Sequence, residues 1–204
     1  MKFHLHKWFV GLFMMFYSLC SWAQLPNPTY TCTIRDAKIV SPSEYEFDIV
    51  MQRTGNIDIK LSHFQMGIRI NPALIPADAI ITVAPVPNSS SLLLSQQPGA
   101  ERFTFDAKNN CIRVTPVPPV RANGSTTISA SAGGTRLIRI RVSCSKPFNT
   151  GVSTNHTWNF SFSTGYGTKI FALVGGPLYV NTDITVQSSH IKSVDSPSDV
   201  TFTK

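Results

Sequence analysis

The stretch Glu44–Asn71, EYEFDIVMQRTGNIDIKLSHFQMGIRIN, decides the fold class. In its first part Tyr45, Phe47, Ile49 and Met51 alternate with Glu44, Glu46, Asp48 and Gln52. Side chains on a strand point alternately to opposite faces, so the large apolar groups share one face and the polar groups the other. In the second part Phe64, Met66, Ile68 and Ile70 alternate with His63, Gln65, Gly67 and Arg69. The link Thr54–Lys60 opens with Thr-Gly-Asn, a turn signal. These are two facing strands and a loop. They cannot bury their apolar faces alone, so a second layer must cover them.

The same pattern recurs along the chain. Strands are predicted at Tyr30–Val40, Ala79–Ala84, Arg102–Asp106, Cys111–Thr115, Thr126–Ser131, Thr135–Ser143, His156–Ser163, Lys169–Val174 and Leu178–Val186. Within them Ile138, Ile140, Val142 and Cys144 share one face, and Trp158, Phe160 and Phe162 share another. Lys108-Asn109-Asn110 reads as a hairpin turn. Charged residues make up only 14% of the chain, and Pro 14 and Gly 12 punctuate it at short intervals. No long stretch has helical spacing. The expectation is an all-β, two-sheet antiparallel β-sandwich of roughly nine or ten strands.

The start of the chain reads differently. Lys2 and Lys7 precede an apolar run, Trp8–Leu19, and Ser21-Trp22-Ala23 supplies small residues at a cleavage site. Residues 1–23 therefore read as a secretory signal peptide, since the run is shorter than the ~20 residues a spanning helix needs. Residues 24–190 form the sandwich domain, and 191–204 read as a loose tail. No transmembrane segment is expected after signal cleavage. Removing Lys2 and Lys7 leaves 16 basic and 11 acidic residues, a net of +5. That modest excess in an exported chain without a recognisable motif argues against nucleic acid. Three cysteines remain, Cys32, Cys111 and Cys144. Export permits a disulfide, and Cys32–Cys144 is the pairing expected, with Cys144 inward on its strand.

Catalytic chemistry finds little support. Glu44, Glu46 and Asp48 lie on one strand face at a spacing that a glycosidase pair could use, but a half-solvated strand carries such charges anyway. There is no G-x-S-x-G elbow, and His63, read as a solvated outer-face residue, lies far in sequence from His156 and His190. No catalytic residue and no metal ligand set is assigned. The aromatic side chains best placed to stack on a glycan are Tyr166, flanked by Gly165 and Gly167, with Tyr179 and Phe148 near strand ends. Trp158 reads as core.

The runs YEFDIVMQRTG and HFQMGIRINPALI resemble the opening strands of cohesin-like and carbohydrate-binding-like modules. NNCIRVTPVPP, GTRLIRIRVSCSKPF, WNFSF, GTKIFALVGG and NTDITVQSSH have look-alikes, in that order, in β-sandwich modules of exported Bacteroidetes-type bacterial proteins. The similarity runs from about Tyr30 to His190. It implies a secreted, non-catalytic binding or adhesion module, first for carbohydrate. The alternative is a cohesin-like protein–protein or structural module of the cell surface, using a face such as Arg136, Arg139 and Arg141. A glycoside hydrolase ranks below both. The partner is then a glycan or a surface protein, and the setting extracellular or cell-surface. Such modules often precede a C-terminal sorting domain used for surface attachment; none is expected before Lys204, which keeps the periplasm open as a setting. No cofactor is expected. A structural calcium, which related sandwiches sometimes hold, would fall on Asp183 with Asn181, or on Asp106 with Asn109 and Asn110.

Overall fold

A computed structural model describes residues 28–163, 166–175, 179–185 and 199–203. The expected leader and residues 191–198 of the expected tail lie outside them. Ten strands are described, and every pairing between them is antiparallel. The first sheet runs in the order β1 (Tyr30–Ser41), β2 (Glu44–Arg53), β7 (Thr135–Cys144), β4 (Ile81–Pro85). The second runs β10 (Val180–Asp183), β9 (Lys169–Val174), β3 (Lys60–Arg69), β6 (Cys111–Val114), β5 (Phe103–Asp106). The short β8 (Thr157–Trp158) adds to β3 beyond the end of β9. This is the two-sheet antiparallel sandwich that the alternation required.

The two deciding strands, β2 and β3, lie in opposite sheets and meet across the core. Tyr45, Phe47, Ile49 and Met51 on one side, and Phe64, Met66, Ile68 and Ile70 on the other, are all buried. Each such side chain contributes about 1.5–3 kcal/mol on leaving water. Ile138, Ile140, Val142 and Cys144 of β7 join them as their phase predicts.

One edge of β3 is completed in an unusual way. Near its start, Leu61 N–H donates to Thr126 O at 2.9 Å and Ile128 N–H to Ile59 O at 2.8 Å. Near its end, β6 takes over from Met66. Between them sits the buried side chain of Gln96, whose Nε2 donates to Leu61 O at 2.6 Å and to Ser62 O at 3.3 Å. Its Oε1 accepts from Thr126 N–H at 2.6 Å and from Thr126 Oγ1 at 2.7 Å. A side-chain amide thus fills a gap in the ladder and leaves those buried main-chain groups paired.

Several expectations change, among them the strand at Thr126–Ser131, which reduces to an isolated bridge between Thr127 and Lys60. Cys32, Cys111 and Cys144 are free and buried, so there is no Cys32–Cys144 disulfide. Cys32 pairs with Met51 near one end of β2, whereas Cys144 N–H bonds Ser43 O beyond the other. Eight residues of strand, about 26 Å, separate those levels, far beyond the ~7 Å limit between the Cα atoms of a disulfide. Phe148, offered as a glycan-stacking ring, is buried, with its ring 5.5 Å from Tyr45 and 4.8 Å from Phe202. The strand expected at His156–Ser163 stops at Trp158, and Phe162 is exposed rather than inward. The last bond of this pairing is Asn159 N–H to Gly67 O, and beyond it the chain leaves β3. Finally, Asp199–Thr203 is not loose. Its Phe202 enters the core, and its backbone bonds to residues 151–154.

Candidate functional site

The sandwich has two outer faces, and they differ in kind. On the first sheet, Glu46 and Asp48 of β2 face outward between β1 and β7. Register puts Arg141 opposite Glu46 and Arg139 opposite Asp48. A bulge between Arg35 and Lys38, with Asp36 at φ 54°, brings Lys38 opposite Glu46 from the other side. The result is a continuous ion-pair ladder. Arg139 Nε donates to Glu46 Oε2 at 2.8 Å and its Nη1 to Asp48 Oδ1 at 2.8 Å. Arg141 Nη2 donates to Glu46 Oε1 at 2.6 Å, and Arg136 Nη1 to Asp48 Oδ2 at 3.2 Å. Lys38 Nζ lies 3.3 Å from Glu46 Oε2.

The cations cover their partners so well that Glu46 is 3% and Asp48 4% exposed. Burial alone would push the Glu46 carboxyl up, but the bonds from Arg139, Arg141 and Lys38 outweigh it and hold it at about 2. A general acid needs the opposite shift. The register does gather Arg136, Arg139 and Arg141 in one row, as a partner face would need. Their charge, however, is directed into the sheet's own carboxylates, and the Arg139 side chain is only 12% exposed.

The second sheet shows water a different surface. On β3 and β9, His63 falls opposite Phe171 and Gln65 opposite Lys169. The His63 and Phe171 rings stack at 4.4 Å with planes 10° apart, and partial burial lowers the imidazole pKa. Lys169 Nζ stands 5.9 Å from the Phe171 ring and 5.9 Å from that of Phe162, which is 57% exposed. Lys60 Nζ lies 5.2 Å from the ring of Tyr179, itself 41% exposed. These aromatic and cationic groups make one mixed strip along the β9 side of the sheet.

Further along β3 the same face is closed. Thr168 Oγ1 bridges Gly67, accepting from its N–H and donating to its carbonyl, both at 3.1 Å. Asn159 N–H donates to Gly67 O at 2.8 Å, and its Nδ2 to Tyr166 O at 3.1 Å. A Cβ at position 67 would run into the Tyr166 carbonyl oxygen, so this approach requires glycine.

Tyr166 is therefore half-buried and held by its main chain, and Tyr179 lies over Lys60. Gly67 and Lys60 are seven residues apart on β3, about 23 Å, so the two rings do not form one platform. Asp106 is engaged by Asn109 and Arg113, and Asp183 by Lys169 and Thr185. Among the described residues no group of three or more His, Cys, Asp and Glu could hold a metal. His156, far from His63, is fully buried beside Asp199.

Phe162, Phe171, Lys60 and Lys169 were not singled out from the sequence. The signal was there in Lys169–Val174, KIFALV, which is apolar in both phases: Ile170, Ala172 and Val174 face the core, leaving Phe171 and Leu173 on the opposite face.

No family model matches the chain, and no curated protein sequence matches it. Among solved structures it is similar to the second type II cohesin module of the adaptor scaffoldin ScaA from Acetivibrio cellulolyticus, at 11% identity and a TM-score of 0.45, over 85% of this chain and 89% of that one. It is also similar to a structure of a type II cohesin–X-dockerin complex from the same organism, at 9% identity and a TM-score of 0.43, over 81% of this chain and 95% of that one. The likeness is one of general two-sheet architecture.

Proposed function

We propose that this chain is a non-catalytic module that docks a protein partner through the strip formed by Phe162, Lys169, Phe171, His63, Lys60 and Tyr179. The observation that carries it is the exposed Phe162 ring beside Lys169, continuous with the His63–Phe171 stack. Aromatic side chains are enriched at the cores of protein interfaces, and a cation within about 6 Å of a ring adds a further attraction. The first sheet offers no equivalent, because its charges face one another. The matching partner surface is apolar with carboxylates set among the apolar groups. The module's setting is extracellular, reached through the leader read at residues 1–23. No helix among the described residues is long and apolar enough to cross a membrane.

The test is affinity capture from the secreted and surface proteins of the source cells with three forms of the chain. A partner should be retained by the wild type and by Arg136→Gln/Arg141→Gln, which leaves Arg139 on both carboxylates, and lost with Phe162→Ala/Lys169→Glu. Equal recovery by all three removes the strip as the site. Retention on a polysaccharide panel, abolished by Phe162→Ala or Tyr179→Ala, would move the function to carbohydrate.

A further inference from the structure

At the end of the sandwich where β2 begins, residues 199–203 lie in a slot beside residues 151–156. The contact is strand-like. Gly151 N–H donates to Phe202 O at 2.7 Å, Thr154 N–H donates to Val200 O at 3.0 Å, and Ser153 pairs with Thr201. Two side chains enter pockets. Asp199 Oδ1 accepts from Thr154 Oγ1 at 2.9 Å and from His156 N–H at 2.9 Å, and it lies 3.0 Å from His156 Nδ1. Phe202 is buried, 4.8 Å from the Phe148 ring and 6.2 Å from that of Tyr45. Between these side chains Val200 is half-buried and Thr201 exposed.

The pockets belong to the body of the sandwich. His156 is fully buried, its ring 4.3 Å from Phe47 and 5.6 Å from Tyr45. Its Nε2 and the Tyr45 hydroxyl have no hydrogen-bond partner within the described residues. A buried imidazole with one nitrogen bare gains, among the described residues, its side-chain hydrogen-bond partner from the carboxylate. Main-chain pairing gives such a site its affinity, and two pockets at fixed spacing give it selectivity. We propose that this slot is a peptide-binding site for extended segments carrying an aspartate and, three residues later, a phenylalanine, and that residues 199–203 fill it in cis. It is independent of the strip on the second sheet.

A fluorescent, end-capped peptide spanning residues 198–204 tests this on the full chain by anisotropy. The variant Asp199→Ala/Phe202→Ala, whose own segment has lost both anchors, should bind the peptide saturably and about tenfold or more tighter than the wild type, whose slot is filled. Replacing aspartate by asparagine or phenylalanine by alanine in the peptide should weaken binding about tenfold, the scale of one lost charge-assisted hydrogen bond or buried ring. A folded variant that ignores the peptide overturns the proposal, as does binding indifferent to the two peptide substitutions. Should the variant not fold alone, the peptide must restore its cooperative melt on refolding. Failure to do so also overturns the proposal.

Discussion

At Glu46 three cations converge on one carboxylate, and that has a pH signature. The folded pKa, about 2, lies below the unfolded value near 4.5. The stabilisation is therefore complete above the unfolded value and is lost as pH falls through the folded one. Between pH 4.5 and 2 the wild type should lose about 3 kcal/mol from this group, measured by urea denaturation. Glu46→Gln should lack that slope and be about 3 kcal/mol less stable at pH 7, because it leaves Arg139, Arg141 and Lys38 without their shared partner. A variant with wild-type stability at pH 7 would mean that the ladder is only surface decoration. The outward phase of Glu46 was legible in the alternation of β2, but its burial was not. Its partners Arg139 and Arg141 lie more than ninety positions away in the sequence, and only the register of β2 on β7 decides that they meet.

At the scale of an element, β3 depends on a residue that no periodic pattern marks. Gln96 follows the Leu92–Leu94 run, in a segment the sequence shows only as a polar loop. Its role is set by what faces it: two carbonyls of β3 and one N–H of Thr126. Gln96→Leu keeps the volume roughly and removes both ends of the amide. It should cost about 3 kcal/mol, since two buried carbonyls of β3 and the half-buried Thr126 N–H lose their partner at once. Amide exchange should rise at Thr126 while β6 stays protected. Uniform loss of protection would show that β3 opens as a whole instead. The strands themselves were readable because burial on one face imposes a period of two. Closing segments such as 166–168 were not, because single contacts like Gly67 against Tyr166 leave no period.

For the whole molecule, the two-layer plan followed from the sequence because Glu44–Asn71 already contains a strand of each layer. Which strands share a sheet did not follow, and the disulfide expectation failed on that point. β1 and β7 flank β2 at opposite ends of the register for Cys32 and Cys144. Burial pushes the Cys32 thiol up to about 12 and raises that of Cys111. Thiolate is the reactive form, so the native protein should leave Cys32 and Cys111 unmodified by a thiol-specific chromogenic reagent, while burial shields Cys144 from its approach. All three should react at once in denaturant, and reductant should not change the melting temperature. In a chain lacking residues 1–23, and with them Cys20, a thiol titre below three in denaturant would reveal a bridge that the register forbids.

Were the strip on the second sheet the docking surface, the contrast between the two outer faces would also set a valence. A body that is adhesive on one side and electrically closed on the other can join a neighbour but cannot relay it. Units of this kind terminate an array or decorate it; they do not propagate it. Growth into a chain or lattice would need a second point of attachment, and the slot now occupied by residues 199–203 offers one only when its resident segment leaves.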